Sequence, residues 1–389
     1  MLRTYLSLGL ASAWMVVGRL AGLGWTLFLV ASLGVADYGQ YATAYAVAAI
    51  LSAPIENIFV VRVVRIGDED FRAERSMRAL LGAGLVAAGL SVYAWSFIAG
   101  FALAVAGFEM LFNAYKSVAL RGGRPGRIMR MDAARQLSSI ALAVAAYGML
   151  GDAATLELIC LAYLSPYLVV LLLAAKQAWG AAPRWPRGLR AQAVLVVDAL
   201  VLSVYLQGDI LLLGLLFDQE VVGVYSIVSQ LALAASTIGQ LFGQQYAERL
   251  RENDGHHTAG APMRLTVILG IVLSVGAGVL AVALCLFPEY RSVGIVLAVI
   301  APFAGLRAIT NTWVTALYVR GVDGARVSWS ALALVVRFGL ILSMVAFGVS
   351  GAVAAAAAAG FAELILVFAY YRLVLRPLYA DRGGASGTG

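Results

Sequence analysis

The chain has 389 residues, 62% of them hydrophobic and only 13% charged, with a net charge of +7. A soluble domain carries roughly 25% charged residues, so this chain lacks the charge to cover a water-facing surface. Its excess of apolar side chains excludes disorder as well. The composition points to an all-α integral membrane protein with many spans. Cys160 and Cys285 both sit in apolar runs, which excludes a disulfide framework and a cysteine metal site.

A helix needs about 20 mostly apolar residues to cross the hydrocarbon core. Taken in chain order, the apolar runs predict twelve spans, at 6–33, 39–61, 78–96, 98–119, 128–149, 153–175, 193–216, 221–246, 263–286, 292–318, 327–348 and 350–373. The first run stays apolar for too long to be a cleaved signal peptide and reads as an anchor. Pro54, Pro166 and Pro302 fall within spans, where each removes a backbone hydrogen bond and predicts a kink.

The basic residues, 26 Arg and two Lys, alternate by side. Arg3 precedes span one. Arg62, Arg65, Arg72, Arg75 and Arg78 lie around the two–three junction, and Lys116, Arg121, Arg124, Arg127 and Arg130 around the four–five junction. Lys176, Arg184, Arg187 and Arg190 flank the six–seven linker. Arg249, Arg251 and Arg264 follow span eight, Arg320 and Arg326 follow span ten, and Arg372, Arg376 and Arg382 follow span twelve. The opposite loops are short and hold only Arg291. The positive-inside rule then places both termini in the cytoplasm. This distribution accounts for the excess charge without nucleic acid. The last residues, 377–389, read as a disordered tail.

The chain reads as a repeat. Residues 1–180 form one six-helix bundle, 181–192 a cytoplasmic linker, and 193–376 a second six-helix bundle. Gly39-Gln-Tyr41 opens span two and Gly223-Val-Tyr225 opens span eight. Arg121-Gly-Gly-Arg-Pro-Gly-Arg127 follows span four and Arg320-Gly-Val-Asp-Gly-Ala-Arg326 follows span ten. An even number of spans per half makes the repeat parallel, an arrangement used in alternating-access transport.

Charges inside the bilayer are costly and should face a cavity or a partner. The basic ones are Arg19, Arg135, Arg307 and Arg337; the acidic ones are Glu56, Glu109, Asp132, Asp198, Asp209 and Glu363, with Glu157 near an outer end. Guanidinium stays charged and grips phosphate bidentately, so Arg19, Arg307 and Arg337 are candidate ligands for an anionic headgroup in a cationic cavity. The structural alternative pairs Arg337 with Glu363, or Arg307 with Glu109. Arg135 stands one turn from Asp132, and an i, i+3 pair accounts for it. Asp209, Glu109, Glu56 and Glu363 are candidates for coupling Na⁺ or H⁺. Asn57, Gln207 and Tyr205 lead a polar set suited to sugar hydroxyls and equally to interhelical hydrogen bonding, which also includes Asn113, Tyr41, Tyr45, Tyr225 and Asn311. Walker, H-E-x-x-H and Gly-x-Ser-x-Gly motifs are absent, so the chain reads as a non-enzyme with no cofactor and no metal. His256 and His257 read as a solvated cytoplasmic loop.

Two segments carry a family resemblance, Leu33-Gly-Val-Ala-Asp-Tyr-Gly-Gln-Tyr-Ala-Thr-Ala-Tyr45 and Asp209-Ile-Leu-Leu-Leu-Gly-Leu-Leu-Phe-Asp-Gln-Glu-Val-Val-Gly-Val-Tyr-Ser-Ile227. They resemble the Wzx-type polysaccharide-biosynthesis flippases of the multidrug/oligosaccharidyl-lipid/polysaccharide exporter superfamily. The resemblance implies translocation of an undecaprenyl-diphosphate-linked oligosaccharide across a bacterial inner membrane, as for O-antigen, lipopolysaccharide or exopolysaccharide assembly. It implies Arg19 as part of the cationic cavity, membrane lipids as surroundings, and a polysaccharide polymerase or ligase as a further partner. Lipid II flippases of the superfamily usually have fourteen spans, which argues against that branch. The alternative is a cation-coupled exporter of small molecules or drugs from the same superfamily.

Overall fold

The computed structural model describes residues 2–63, 66–122, 125–178, 180–186, 189–253, 255–320 and 322–375. Arg65, Arg124, Arg187, Arg376 and Arg382 of the topological set lie outside the described residues, as do the tail 377–389 and the side chains of Arg3 and Arg190. Among the described residues the secondary structure is helical throughout, with no strand.

Among the described residues twelve long helical segments overlap the twelve expected spans. They are α1 (Leu2–Leu33), α2 (Val35–Val63), α3 (Asp68–Val92), α4 (Phe97–Arg121), α5 (Pro125–Leu150), the pair α6 (Leu156–Leu164) and α7 (Pro166–Ala178), α8 (Leu189–Leu216), α9 (Gln219–Gln244), α11 (Met263–Cys285), α12 (Arg291–Arg320), α13 (Asp323–Ala346) and α14 (Gly351–Leu375). The short α10 (Ala247–Glu252) lies between α9 and α11. Among the described residues nine of these segments are long and apolar enough by themselves to cross a membrane. Those outside that set are α1, whose described apolar stretch is Val17–Leu33, and α3 and α5.

The reason for α3 and α5 is visible in their first turns. Helix α3 begins ten residues before the expected span, with Asp68, Glu69, Asp70, Arg72, Glu74, Arg75 and Arg78. Acids in the first turn suit the helix dipole. Ion pairs then hold this polar extension: Arg62 Nε donates to Glu74 Oε2 at 2.8 Å, and Arg121 pairs with Asp68 at 2.8 Å. Helix α5 likewise carries Arg127, Arg130, Asp132 and Arg135 in its first half.

The three prolines behave differently. Pro166 breaks the sixth span into α6 and α7, because it starts a new helix at a position where no N–H is required. Pro54 and Pro302 lie inside the continuous helices α2 and α12.

The turns on the side poor in basic residues are as short as expected. Gly34, with φ +96°, is the single residue between α1 and α2; Gly348, with φ +85°, turns the chain between α13 and α14. A left-handed glycine just past a helix end is the cheapest sharp stop. Ser96 and Thr155 cap α4 and α6 through bonds from the Ala99 and Leu158 amides.

The chain forms two compact units, residues 1–223 and 224–389. In the first, α4 is the central helix: it packs on α2, α3 and α7, and the most buried of the candidate spans is its own. Helix α8, counted with the second half in the sequence, packs along α2. In the second unit α12 is central, against α11 and α14, and α13 packs on α14. The same span numbers therefore pair in each unit: three with four as nine with ten, four with six as ten with twelve, and five with six as eleven with twelve.

The repeated Gly-x-Tyr motif marks a close crossing. A Cβ on Gly39 would overlap the Gln219 carbonyl, and a Cβ on Gly223 would overlap the Val35 carbonyl. Thr43 adds a hydrogen bond to Gln219 Oε1 at 3.3 Å.

Candidate functional site

Each unit carries its own cluster of charges within the helices. In the first unit Glu56 on α2 is buried. Arg78 Nε donates to Glu56 Oε1 at 2.9 Å, a second guanidinium nitrogen of Arg78 reaches Oε2, and Asn113 Nδ2 donates to Oε2 at 2.6 Å. Arg78 is itself only 2% exposed. The sequence reading took Arg78 as a topological charge at the cytoplasmic edge; the structure makes it the fixed counter-ion of Glu56. One signal was available, since α3 is one helix that carries Arg78 a full turn and more beyond its polar start.

A second cluster follows on α4, α5 and α7. Arg135 pairs with Glu109 at 3.3 Å. Tyr167 donates its hydroxyl hydrogen to Glu109 Oε1 at 2.6 Å and accepts from Arg135. The Arg135 guanidinium lies over the Phe112 and Tyr167 rings, 5.4 and 5.1 Å from their centres. The expected intrahelical pair of Arg135 with Asp132 is corrected here. Asp132 pairs instead with Lys116 on α4 at 2.9 Å, because α4 and α5 present opposite charges to each other across the helix contact. The sequence reading missed Tyr167, which no charge or spacing singles out.

Arg19 stands apart from these pairs. It lies well inside α1, its side chain is exposed, and among the described residues no carboxylate pairs with it. It is within electrostatic reach of Tyr45, as are Glu109 and Arg135. Its place is set by α1 packing on α5, where the Gln136 amide lies against Gly18 and Gly22. Of the four in-span arginines, all described, Arg19 is the exposed one.

In the second unit Glu363 on α14 is fully buried. Arg307 Nη1 lies 3.4 Å from its Oε1, and the Thr310 hydroxyl donates to the same oxygen. Arg337 on α13 is buried, donates to the Tyr225 hydroxyl at 3.1 Å, and lies over the Phe303 ring at 5.7 Å. The expected alternative of Arg307 with Glu109 is corrected: Glu109 pairs with Arg135, and Arg307 with Glu363. Helix geometry decides this: which arginine reaches which acid depends on rotation about each helix axis, which spacing within one helix does not record.

The remaining candidates lie on α2 and α8. Asn57 and Gln207 are half-buried. Tyr205 and Asp209 are buried and sit one turn apart on α8, where Asp209 Oδ1 also accepts from the Ile210 amide at 3.1 Å. Asn113, from the polar set, is spent on Glu56, and Asn311 donates to the Ser236 carbonyl at 3.3 Å. Among the described residues no three His, Cys, Asp or Glu side chains gather as a metal site.

No family model and no curated protein sequence matches the chain. Solved structures do. The chain is similar to lipid II flippase MurJ in an inward closed conformation, with a TM-score of 0.71 and 12% identity over 94% of this chain and 87% of that one. It is similar to an inward-facing multidrug resistance MATE family transporter of the MOP superfamily, with a TM-score of 0.63 and 13% identity over 92% and 93% of the two chains. It is similar also to the MATE multidrug transporter DinF-BH, with a TM-score of 0.63 and 15% identity over 95% of each chain. The fold is that of the MurJ and MATE transporters. At this identity the likeness is one of fold; together with the nine apolar helices among the described residues it supports a multi-pass membrane protein.

Proposed function

We propose that the chain is a flippase that carries an undecaprenyl-diphosphate-linked oligosaccharide across the bacterial inner membrane by alternating access. The observation that carries this reading is Arg19, exposed well inside a membrane helix and without a carboxylate partner among the described residues. A guanidinium facing hydrocarbon costs several kcal/mol, about 2.5–3.5 on insertion scales. A side chain kept exposed at that depth therefore faces an aqueous space, where it offers a phosphate two parallel hydrogen bonds.

The acids lend less support to ion coupling. Glu56, Glu109, Asp132 and Glu363 each hold an Arg or Lys already. A cation would have to displace a resident guanidinium or ammonium group to bind there. The membrane potential supplies a drive without it: an anion leaving a negative interior gains about 2.3 kcal/mol per charge per 100 mV. Asp209, buried on α8 within an apolar run, is a further candidate for Na⁺ or H⁺ coupling. The MATE-like fold is shared with exporters of drugs, yet an interior that offers an exposed arginine repels a cationic substrate.

The test is export of lipid-linked glycan in cells whose only copy carries Arg19→Ala. With expression held at the wild-type level, transport should fall at least about tenfold, the loss of one charge-assisted bidentate contact of roughly 1.5–3 kcal/mol. Export at the wild-type rate would remove Arg19 from the substrate path.

A further inference from the structure

Helices α1 and α2 form an antiparallel hairpin, joined at Gly34. One pair of side chains fixes its register. Thr26 Oγ1 of α1 lies 3.5 Å from the Tyr38 hydroxyl of α2, and both residues are buried. Seven residues make close to two full turns, so positions seven apart share a helix face. Arg19 lies seven residues before Thr26, and Tyr45 lies seven residues after Tyr38. In antiparallel helices those two steps run in the same direction. Arg19 and Tyr45 therefore stand opposite each other across the hairpin, about 10 Å further along it than Thr26 and Tyr38. The Arg19 charge acts on Tyr45 accordingly.

The two levels of the hairpin differ in how their polar groups are satisfied. Thr26 and Tyr38 lie against each other. Arg19 is exposed and Tyr45 half-buried, and among the described residues neither side chain makes a hydrogen bond or an ion pair. The Tyr45 ring is nevertheless held in place. It stacks on Tyr41 at 6.0 Å, and Tyr41 meets the Trp25 ring of α1 edge-on at 6.1 Å. Aromatic packing thus sets the direction of the phenol and leaves its hydroxyl for another partner. The surrounding charge narrows what that partner is. The formal charges that act on Tyr45 are Glu109, Arg135 and Arg19, which sum to +1, and Glu109 already accepts from Tyr167 and pairs with Arg135. A guanidinium has donors only, and a phenol beside it has one donor to add. A group that accepts from both and carries negative charge fits, which describes an oxyanion with several oxygens, such as a phosphate.

We propose that Tyr45 is a second headgroup-contacting residue, whose O–H donates to an oxygen of the same phosphate that Arg19 grips. The assignment rests on the reading of Arg19 as a headgroup ligand and adds a donor from a second helix. It separates Tyr45 from the rest of the polar set, since its place opposite Arg19 gives it the phosphate and not a sugar hydroxyl. Donors from two helices fix where the phosphate sits, a position that one long, flexible side chain leaves free.

The experiment is binding of two probes, undecaprenyl diphosphate and uncharged undecaprenol, to the purified full chain in a neutral detergent, read by tryptophan fluorescence. Tyr45→Phe removes one oxygen and keeps the ring against Tyr41. It should weaken binding of the diphosphate about tenfold, the loss of one hydrogen bond to a charged group, and leave undecaprenol within about twofold. Arg19→Ala should weaken the diphosphate at least as much. With both changes in one chain the loss should fall short of the product of the single losses, because the two donors serve one phosphate. Wild-type binding in Tyr45→Phe beside weak binding in Arg19→Ala would overturn the role of Tyr45 and leave that of Arg19 standing. Wild-type binding in both variants would remove both residues from the site. Losses that simply multiply would overturn the shared phosphate. An equal loss for undecaprenol would overturn the headgroup contact, since the variant would then act on the tail or the fold.

Discussion

Glu56 and Arg78 illustrate how a buried charge is tolerated: each satisfies the other, and Asn113 takes a remaining lone pair. Removing one member leaves the other uncompensated, which costs about 3–5 kcal/mol, whereas replacing both by apolar groups of similar volume is often close to neutral. Arg78→Met alone should therefore strongly lower the denaturant midpoint in micelles, and Arg78→Met with Glu56→Leu should recover most of the loss. A double variant as unstable as the single one would show that the pair matters for something beyond mutual neutralisation. Outside the membrane, His257 offers a titration test. Burial first, then His256 and Arg320, lowers its pKa from the ordinary 6.5. The unfolded chain thus binds the proton more readily, so this contribution to stability is present above about pH 6.5 and is lost as the pH falls through the lower folded value. The unfolding midpoint should decline slightly between pH 7.5 and 5.5, and His257→Asn should flatten that decline. At this scale the sequence revealed which charges lie within spans. It did not reveal partners, since Arg135 has Asp132 in its own helix but bonds Glu109 across a helix contact.

Close crossings between helices depend on glycine in a few specific places. Gly305 of α12 meets the Gly270 carbonyl and Ser274 Oγ of α11 so closely that a Cβ would overlap both. Gly39 and Gly223 do the same at the start of α2 and α9. Gly276, also in α11, has nothing near its missing Cβ. Gly305→Ala should therefore force α11 and α12 apart and cost on the order of 1–3 kcal/mol, as overpacking does. Gly276→Ala should instead gain about 0.5–1 kcal/mol from helix propensity. Thermal unfolding of the two variants side by side checks both signs. The Gly-x-Tyr repeat was legible in the sequence as a pair of motifs. That the two glycines pack at one crossing was not, because 184 residues separate them. The helix extents were legible where apolar runs define them. Helix α3 escaped that rule: its ten extra residues are mostly polar and are held by Glu74 with Arg62 and Asp68 with Arg121.

For the whole molecule, the alternation of basic loops predicts cytoplasmic termini. Single cysteines in a background without Cys160 and Cys285 test this. Thr258→Cys should resist a membrane-impermeant maleimide in intact cells and react after permeabilisation, while Glu289→Cys should react in both. The reverse pattern would invert the topology. The repeat extends to the charge clusters. Spans four, five and six hold Glu109, Arg135 and Tyr167; spans ten, eleven and twelve hold Arg307, Arg337 and Glu363. The acid of the first trio sits on the central helix, and in the second trio the central helix carries the arginine.

By itself the sequence determined that this chain lives in a bilayer, in about twelve helical pieces. Those properties follow from local composition, because the cost of exposing polar backbone in hydrocarbon leaves the helix as the form such apolar runs adopt. Only the tertiary structure decided which charges are neutralised in place and which stay exposed. That choice depends on the rotation and contact of neighbouring helices, where a few ångströms separate a buried ion pair at Glu56 and Arg78 from an exposed guanidinium at Arg19.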